Sequence, residues 1–165
     1  MEHLWAPWRK VYVQDASTPR GEIFVRLGQA PEQDDEANGI LLRGKGSYAV
    51  LNRFPYNTAH TLVVPYRVVS TLEELSEEEQ MEGLRLLLRL KAAITAAFKP
   101  HGFNIGINLG AAAGAGIEQH LHWHIVPRWN GDSNFMTAVG ETRVHPNDLP
   151  AVWKQLRTAL DAVSL

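Results

Sequence analysis

Three histidines, His120, His122 and His124, stand at two-residue spacing inside the otherwise apolar run HLHWHIVPRW. Along an extended strand alternate side chains share a face. The three imidazoles therefore project together, while Leu121, Trp123 and Ile125 turn the other way, into a core. The expectation is a half-buried strand whose second face is a row of imidazoles. Imidazole changes charge near neutral pH and serves as acid, base, nucleophile or metal ligand. Three readings follow from the spacing alone. The row is a polar outer face, or a site in which neighbouring histidines share one metal ion. Alternatively, one histidine is a nucleophile and its neighbours orient it and handle protons.

The residues upstream favour the third reading. NLGAAAGAGIEQ, residues 108–119, is a loop of glycine and alanine leading directly into His120. Small residues let backbone N–H groups approach a ligand closely, and consecutive N–H groups form a nest for an anion. A phosphate held beside imidazoles makes a phosphoryl-transfer site.

The rest of the chain must position these groups. ILLRGKGSYAVLN, residues 40–52, reads as two short strands around Gly44-Lys45-Gly46. The spacing of a phosphate loop is absent there, so the reading is a hairpin turn. Residues 59–65 form a third strand, stopped by Pro65, and 103–110 and 121–127 a fourth and fifth. Ser76 with Glu79 predicts a capping box, and the acidic run Glu77-Glu78-Glu79 suits the positive end of a helix dipole. Leu86, Leu87, Leu90, Ala93, Ile94 and Ala97 then keep one helical face apolar until Pro100. A last helix is expected within 146–163, with Trp153 facing the core. Residues 1–21, with Trp5, Trp8 and Arg9, read as an irregular arm, and the acidic stretch 29–39 as a surface loop. The pattern is that of a single α+β domain over 1–165. It has a largely antiparallel sheet of about five strands, one long central helix and a C-terminal extension, 131–165, with its own helix.

Composition narrows the chemistry further. Among 165 residues, 45% are hydrophobic and 21% charged, an ordinary globular balance rather than a disordered one. A formal net charge of -2 offers no basic field for nucleic acid or an anionic membrane, so local donors must hold any phosphate. The chain has no cysteine, which removes disulfides, thiolate metal sites and cysteine nucleophiles. No signal-like start and no apolar run near the roughly 18 residues of a membrane span is present, so a cytoplasmic protein is expected. His3, His101 and His145 are isolated and read as surface or loop residues.

The run His120-Leu121-His122-Trp123-His124-Ile125-Val126 resembles the histidine-triad (HIT) family, whose hallmark alternates histidine with hydrophobic residues and closes on two of the latter. The likeness extends through LNRFPYNTAHTLVVPYR, 51–67, and Asn108-Leu109-Gly110, over about residues 20–130. The tryptophan-rich start, PRW after the triad and NFMTAVGETRV, 134–144, resemble one branch, the bacterial diadenosine-tetraphosphate phosphorylases.

The resemblance implies a HIT-like fold and a division of labour. His122 matches the nucleophile that attacks the α-phosphorus and becomes nucleotidylated; His124 matches the residue at the phosphates and leaving group. His120 and His60 match supporting histidines. Asn52 falls where the family holds the ribose hydroxyls, with Phe54 and Tyr56 near the nucleoside pocket. Asn108, Gly114, Ala115 and Gly116 match phosphate-side contacts, Gln119 is counted with the substrate-binding residues, and Trp129 is the aromatic characteristic of the branch. The implied substrate is a purine nucleotide or dinucleoside polyphosphate, with inorganic phosphate as acceptor and a homodimer as the assembly. The chemistry requires no metal as Lewis acid and leaves room for a magnesium-bound substrate.

Two departures from the family stand out. Where many members carry Cys-Ile-Phe-Cys and a later histidine that help bind a structural zinc, this chain has Glu22-Ile23-Phe24-Val25 and Val68. Loss of three ligands together implies loss of that zinc site. Where hydrolases of the family carry glutamine, about four residues before the triad, this chain has Gly116, which favours the phosphorylase branch.

Overall fold

The computed structural model describes residues 22–132 and 148–163. The arm expected over 1–21, His3, His145 and the segment 134–144 lie outside the described residues.

Five strands, β1 (Ile40–Arg43), β2 (Ser47–Leu51), β3 (Thr61–Pro65), β4 (Gly102–Ile107) and β5 (Trp123–Arg128), form one antiparallel sheet in the order β1-β2-β3-β5-β4. Among the described residues four α-helices accompany them: α1 (Ile23–Gln29), α2 (Asp35–Asn38), α3 (Glu77–Phe98) and α4 (Leu149–Ala162). The α+β architecture read from the sequence is the one observed.

Strands β1, β2, β3 and β5 are buried on both faces because they alternate two apolar sets. Ala49, Leu51, Val63, Trp123 and Ile125 meet Leu86, Leu87, Leu90 and Ile94 of α3 and Val152, Leu156 and Leu160 of α4. Tyr48, Val50, Leu62 and Val64 point the opposite way and pack with Phe24, Ile23 and Leu27 of α1. The histidine row shares this second face, so α1 is what covers it. The sequence reading contained no α1.

Helix α3 starts and stops where expected. The Ser76 hydroxyl accepts from the Glu79 amide (3.2 Å), and the Glu79 carboxylate accepts from the Ser76 amide (2.8 Å). Lys99 ends the helix in a left-handed conformation before Pro100. The hairpin turn is a turn and not a phosphate loop, because the Lys45 and Gly46 amides donate to the Glu82 carboxylate of α3 at 2.6 and 2.7 Å. Helix α4 closes one sheet edge, with the Trp153 indole and the Arg157 guanidinium donating to the carbonyls of Ile40 and Leu41. At the other edge, Asn104, Ile105 and Gly106 of β4 are exposed.

Four expectations are corrected. The acidic stretch 29–39 is exposed as expected but is no loop: it forms a 3-10 turn (Glu32–Asp34) and the short helix α2. Arg43 organises it by bonding Asp35 and the carbonyls of Gly28 and Ala30. Strand β3 begins at Thr61 rather than 59, because Ala59 takes a left-handed φ of 59°. Strand β5 begins at Trp123 rather than 121. Before it, the Leu121 amide donates to Val69 and the His120 carbonyl accepts from a side chain, so that backbone leaves the ladder. Strand β4 likewise ends at Ile107, short of the expected 110.

Candidate active site

His60, His120, His122 and His124 come together and are all buried, which corrects the expectation of a half-buried row. The Phe24 ring closes over two of them, 5.1 Å from His122 and 5.5 Å from His120. A buried polar group needs a partner, and the partners present decide which nitrogen of each ring carries the proton.

A ring nitrogen facing a carbonyl must donate, since oxygen has no hydrogen to give. His122 Nδ1 lies 2.8 Å from the His120 carbonyl, so it carries the proton and Nε2 keeps a lone pair. His120 Nε2 donates in the same way to the Pro65 carbonyl at 2.8 Å. The second pair is set from the opposite end. The Tyr56 amide donates to His60 Nδ1 (3.0 Å), which places the His60 proton on Nε2. That nitrogen lies 2.9 Å from His124 Nδ1, so His124 carries its own proton on Nε2. His124 Nε2 is buried and has no hydrogen-bond partner among the described residues.

Both central rings are held neutral. Burial lowers the His122 pKa below its usual value, against the weaker opposing effect of its bond to the His120 carbonyl. Burial, and then the neighbouring His122, push His124 down to about 4. Near neutral pH the site therefore presents one imidazole lone pair, on His122, beside one imidazole N–H donor, on His124. That is a nucleophile next to a hydrogen-bond donor for an anionic oxygen.

The other expected residues fall at several distances from this centre. Asn52 reaches the His60 ring with Nδ2 (3.3 Å to Nδ1), and its Oδ1 accepts from the Phe54 amide. Tyr56 is 45% exposed, and its ring lies parallel to His124 at 5.8 Å. Asn108, Tyr56 and His124 line a cavity of about 230 Å³ together with Asn104, Gly106 and Val126. Gly106 pairs with His124 in the ladder, and a Cβ there would meet nothing within 4 Å, so the space beside His124 is open. Asn104 and Gly106 were not read as site residues. Their signal was present in FNIGIN, where the apolar residues alternate with Asn104, Gly106 and Asn108.

The loop after β4 meets the nest expectation only in part. Gly110 and Gly114 take left-handed φ values of 79° and 88° around a 3-10 turn (Ala111–Ala113). The amides of Gly114 and Ala115, however, donate to Ala111 and Gly110 within the loop. Gly116 and Gln119 are exposed, and a Cβ at 116 would meet nothing within 4 Å. Trp129 is directed elsewhere: its indole donates to the Phe98 carbonyl at the end of α3. A larger cavity of about 450 Å³ lies by β1, far from the histidines, where Arg43 and Arg157 are already engaged with Asp35 and Asp161.

The zinc positions of the family do not fit zinc here. Val25 and Val68 offer no donor, Val68 is exposed, and no group of three His, Asp or Glu side chains suited to a metal ion occurs among the described residues.

Comparison with known proteins agrees with this geometry. The HIT domain family model matches residues 34–131. A Mycobacterium tuberculosis protein named AP-4-A phosphorylase is 40% identical over 166 residues, covering 96% of this chain and 84% of that protein. The bis(5'-nucleosyl)-tetraphosphatase (asymmetrical) of Schizosaccharomyces pombe is 33% identical over 93 residues, 56% of this chain and 50% of its own length. Among solved structures, a Zn-bound histidine triad family protein from Mycobacterium smegmatis superposes with a TM-score of 0.66 at 27% identity, covering 85% of this chain and 91% of that one. The chain belongs to the HIT domain family. Within it, this protein is a nucleotide-cleaving enzyme.

Proposed function

We propose that this enzyme cleaves dinucleoside polyphosphates by phosphorolysis, through a nucleotide carried on His122. The observation that carries the reading is the pairing of a His122 Nε2 lone pair with a His124 Nε2–H donor in one buried site. His122 Nε2 attacks an α-phosphorus, forming an N–P bond as the bridging P–O bond breaks. The electron pair leaves with the departing nucleoside polyphosphate, whose oxygen accepts a hydrogen bond from His124. The His120 carbonyl, already bonded to His122 Nδ1–H, offsets positive charge on the nucleotidylated ring. An oxygen of inorganic phosphate then attacks the same phosphorus and releases His122. Diadenosine tetraphosphate would thus yield ATP in the first step and ADP in the second.

The M. tuberculosis relative's name supports phosphorolysis. Gly116 does so too, since it supplies no side chain to align a water. The tetraphosphatase relative supports a second reading, in which water is the acceptor and AMP the product. Product analysis with diadenosine tetraphosphate, with and without phosphate, separates the two. Binding without turnover on any dinucleotide would instead favour a nucleotide sensor. We further propose a cytoplasmic homodimer without structural zinc. The exposed β4 edge with Ile105, and Met81, Leu84 and Leu88 on the outer face of α3, are the surfaces such a dimer would cover.

A further inference from the structure

The loop between β2 and β3 is tied by one side chain to the strand that carries His124. Asn57 Nδ2 donates to the Pro127 carbonyl at 3.1 Å and to Asp132 Oδ2 at 2.8 Å. Asp132 is itself held by Arg128, whose Nε and Nη2 donate to it at 2.7 and 2.9 Å, and by the Trp129 amide. Arg128 also donates to Asn104 Oδ1 at 2.7 Å, so the network spans the loop, β5 and β4.

Asn57 is also the first residue of the turn that enters His60. Its carbonyl accepts from the His60 amide at 3.1 Å and its side-chain oxygen from the Thr58 amide at 3.2 Å. Inside that turn, Ala59 is buried at φ 59°, a left-handed conformation that costs a residue with a Cβ about 1–2 kcal/mol. Such strain persists only where the surroundings hold it. What the turn delivers is the Tyr56 amide, 3.0 Å from His60 Nδ1.

We propose that Asn57, anchored by Asp132, is a positioning residue that determines which nitrogen of His124 carries the proton. The Tyr56 amide holds His60 Nδ1 as an acceptor, so His60 Nε2–H must donate to His124 Nδ1. With the amide displaced, His60 can carry its proton on Nδ1 and present a lone pair to His124. The His124 proton then moves to Nδ1, and its Nε2 faces the substrate with a lone pair. A donor toward a phosphate oxygen becomes an acceptor that repels it. Asn52 Nδ2, at 3.3 Å from the same His60 nitrogen, supports the arrangement from the other side. The consequence for turnover rests on the function proposed above, whereas the tautomers are read without any substrate.

Nitrogen-15 NMR of the imidazoles at neutral pH tests the proposal. Wild-type protein is expected to show Nε2–H for His60 and His124 and Nδ1–H for His122. Asn57→Ala is expected to give mixed tautomers at His60 and His124 only. Its kcat is expected to fall by up to about 100-fold while KM changes little. Asp132→Asn should shift the same two rings, less completely, and carries the test alone if Asn57→Ala does not fold. Arg157→Ala, at the far sheet edge, should leave tautomers and kcat unchanged. Unaltered tautomers in the Asn57 and Asp132 variants overturn the proposal, whatever happens to turnover. Shifted tautomers in a protein that cleaves no dinucleotide uphold it and count against the proposed function.

Discussion

His122 Nδ1 lies 2.8 Å from the carbonyl oxygen of His120, a bond between two residues of one short segment. With the bond from the Leu121 amide to Val69 it takes the chain out of the sheet ladder before Trp123, and it commits the His122 lone pair to Nε2. His122→Ala is expected to lower turnover by about 10⁴-fold or more while nucleotide binding survives. His101→Ala should cost far less, since His101 is exposed and its ring accepts from the Asn130 amide, away from the site. Steady-state cleavage by purified His122→Ala would sink the covalent mechanism.

The depressed histidines set a pH dependence. A nucleophile must be unprotonated, and the pKa of His122 lies below the ordinary 6.5. The acid limb of kcat/KM should therefore fall below pH 6.5, with activity kept where a solvated histidine would be half protonated. Stability follows the same sign. The unfolded chain takes up protons first as pH drops through 6.5, so the contribution of His124 is complete above that value and is lost toward about 4. The loss is on the order of 2–3 kcal/mol. Asp132, whose carboxyl Arg128 holds far below the carboxylate range, loses its contribution only in a lower window, starting under pH 3.8. Urea titrations between pH 7.5 and 4 should show the first loss, and His124→Gln should flatten it. A flat profile in the wild type would contradict the argument.

Zinc is expected to be absent. Val25 and Val68 stand where the family's ligands would be, and a valine cannot replace a thiolate or an imidazole. Elemental analysis of purified protein should find well under one zinc per chain, and chelation should leave the melting temperature unchanged. One tightly held zinc per chain, with activity lost on chelation, would restore the reading of the histidines as metal ligands.

Gly83 allows α3 to lie against the strand that carries His124. A Cβ there would stand 3.2 Å from Cη2 and 3.3 Å from Cζ3 of Trp123, the residue between His122 and His124. Alanine would raise helix propensity by about 1 kcal/mol. Forcing a buried indole aside costs about 1–3 kcal/mol, and the ring packs in the core with little room to yield. Gly83→Ala should therefore destabilise by about 1 kcal/mol net, with a lower kcat as the strand shifts. An unchanged midpoint in denaturant would show that the ring gives way freely.

Much of this site was legible because its signals are local. The capping box at Ser76, the stripe from Leu86 to Ile94 and the alternation around His122 each lie within a few residues. The interactions that were not legible join distant residues. His60 meets His124 across 64 positions, and Asn57 meets Asp132 across 75, so no window of sequence contains either pair. The histidine row looked half-exposed because its cover, Phe24 of α1, lies almost a hundred residues upstream. The loop amides were expected to hold a phosphate. Residues 110–115 instead fold on themselves, because each left-handed glycine aims the following amides back at the loop's own carbonyls.

The acceptor is decided at the mouth of this loop. A nucleotidylated His122 is resolved by water or by phosphate, whichever is held in line with the N–P bond. Glutamine at position 116 could align a water; the glycine present has open space around it and no side chain to do so. With the Gly114 and Ala115 amides engaged inside the loop, His124 Nε2–H and the Asn108 amide in the adjoining cavity are the side-chain donors placed to offset an anionic acceptor. Inorganic phosphate should therefore accelerate cleavage and appear in the product as ADP. The Cβ of Gly116→Gln meets nothing within 4 Å, and the variant should fold and weaken the phosphate dependence more than it weakens nucleotide binding. Asn108→Ala should raise the KM for phosphate by about tenfold, the loss of one hydrogen bond to a charged group. Equal rates with and without phosphate, with AMP as the product, would defeat this account and make the protein a hydrolase.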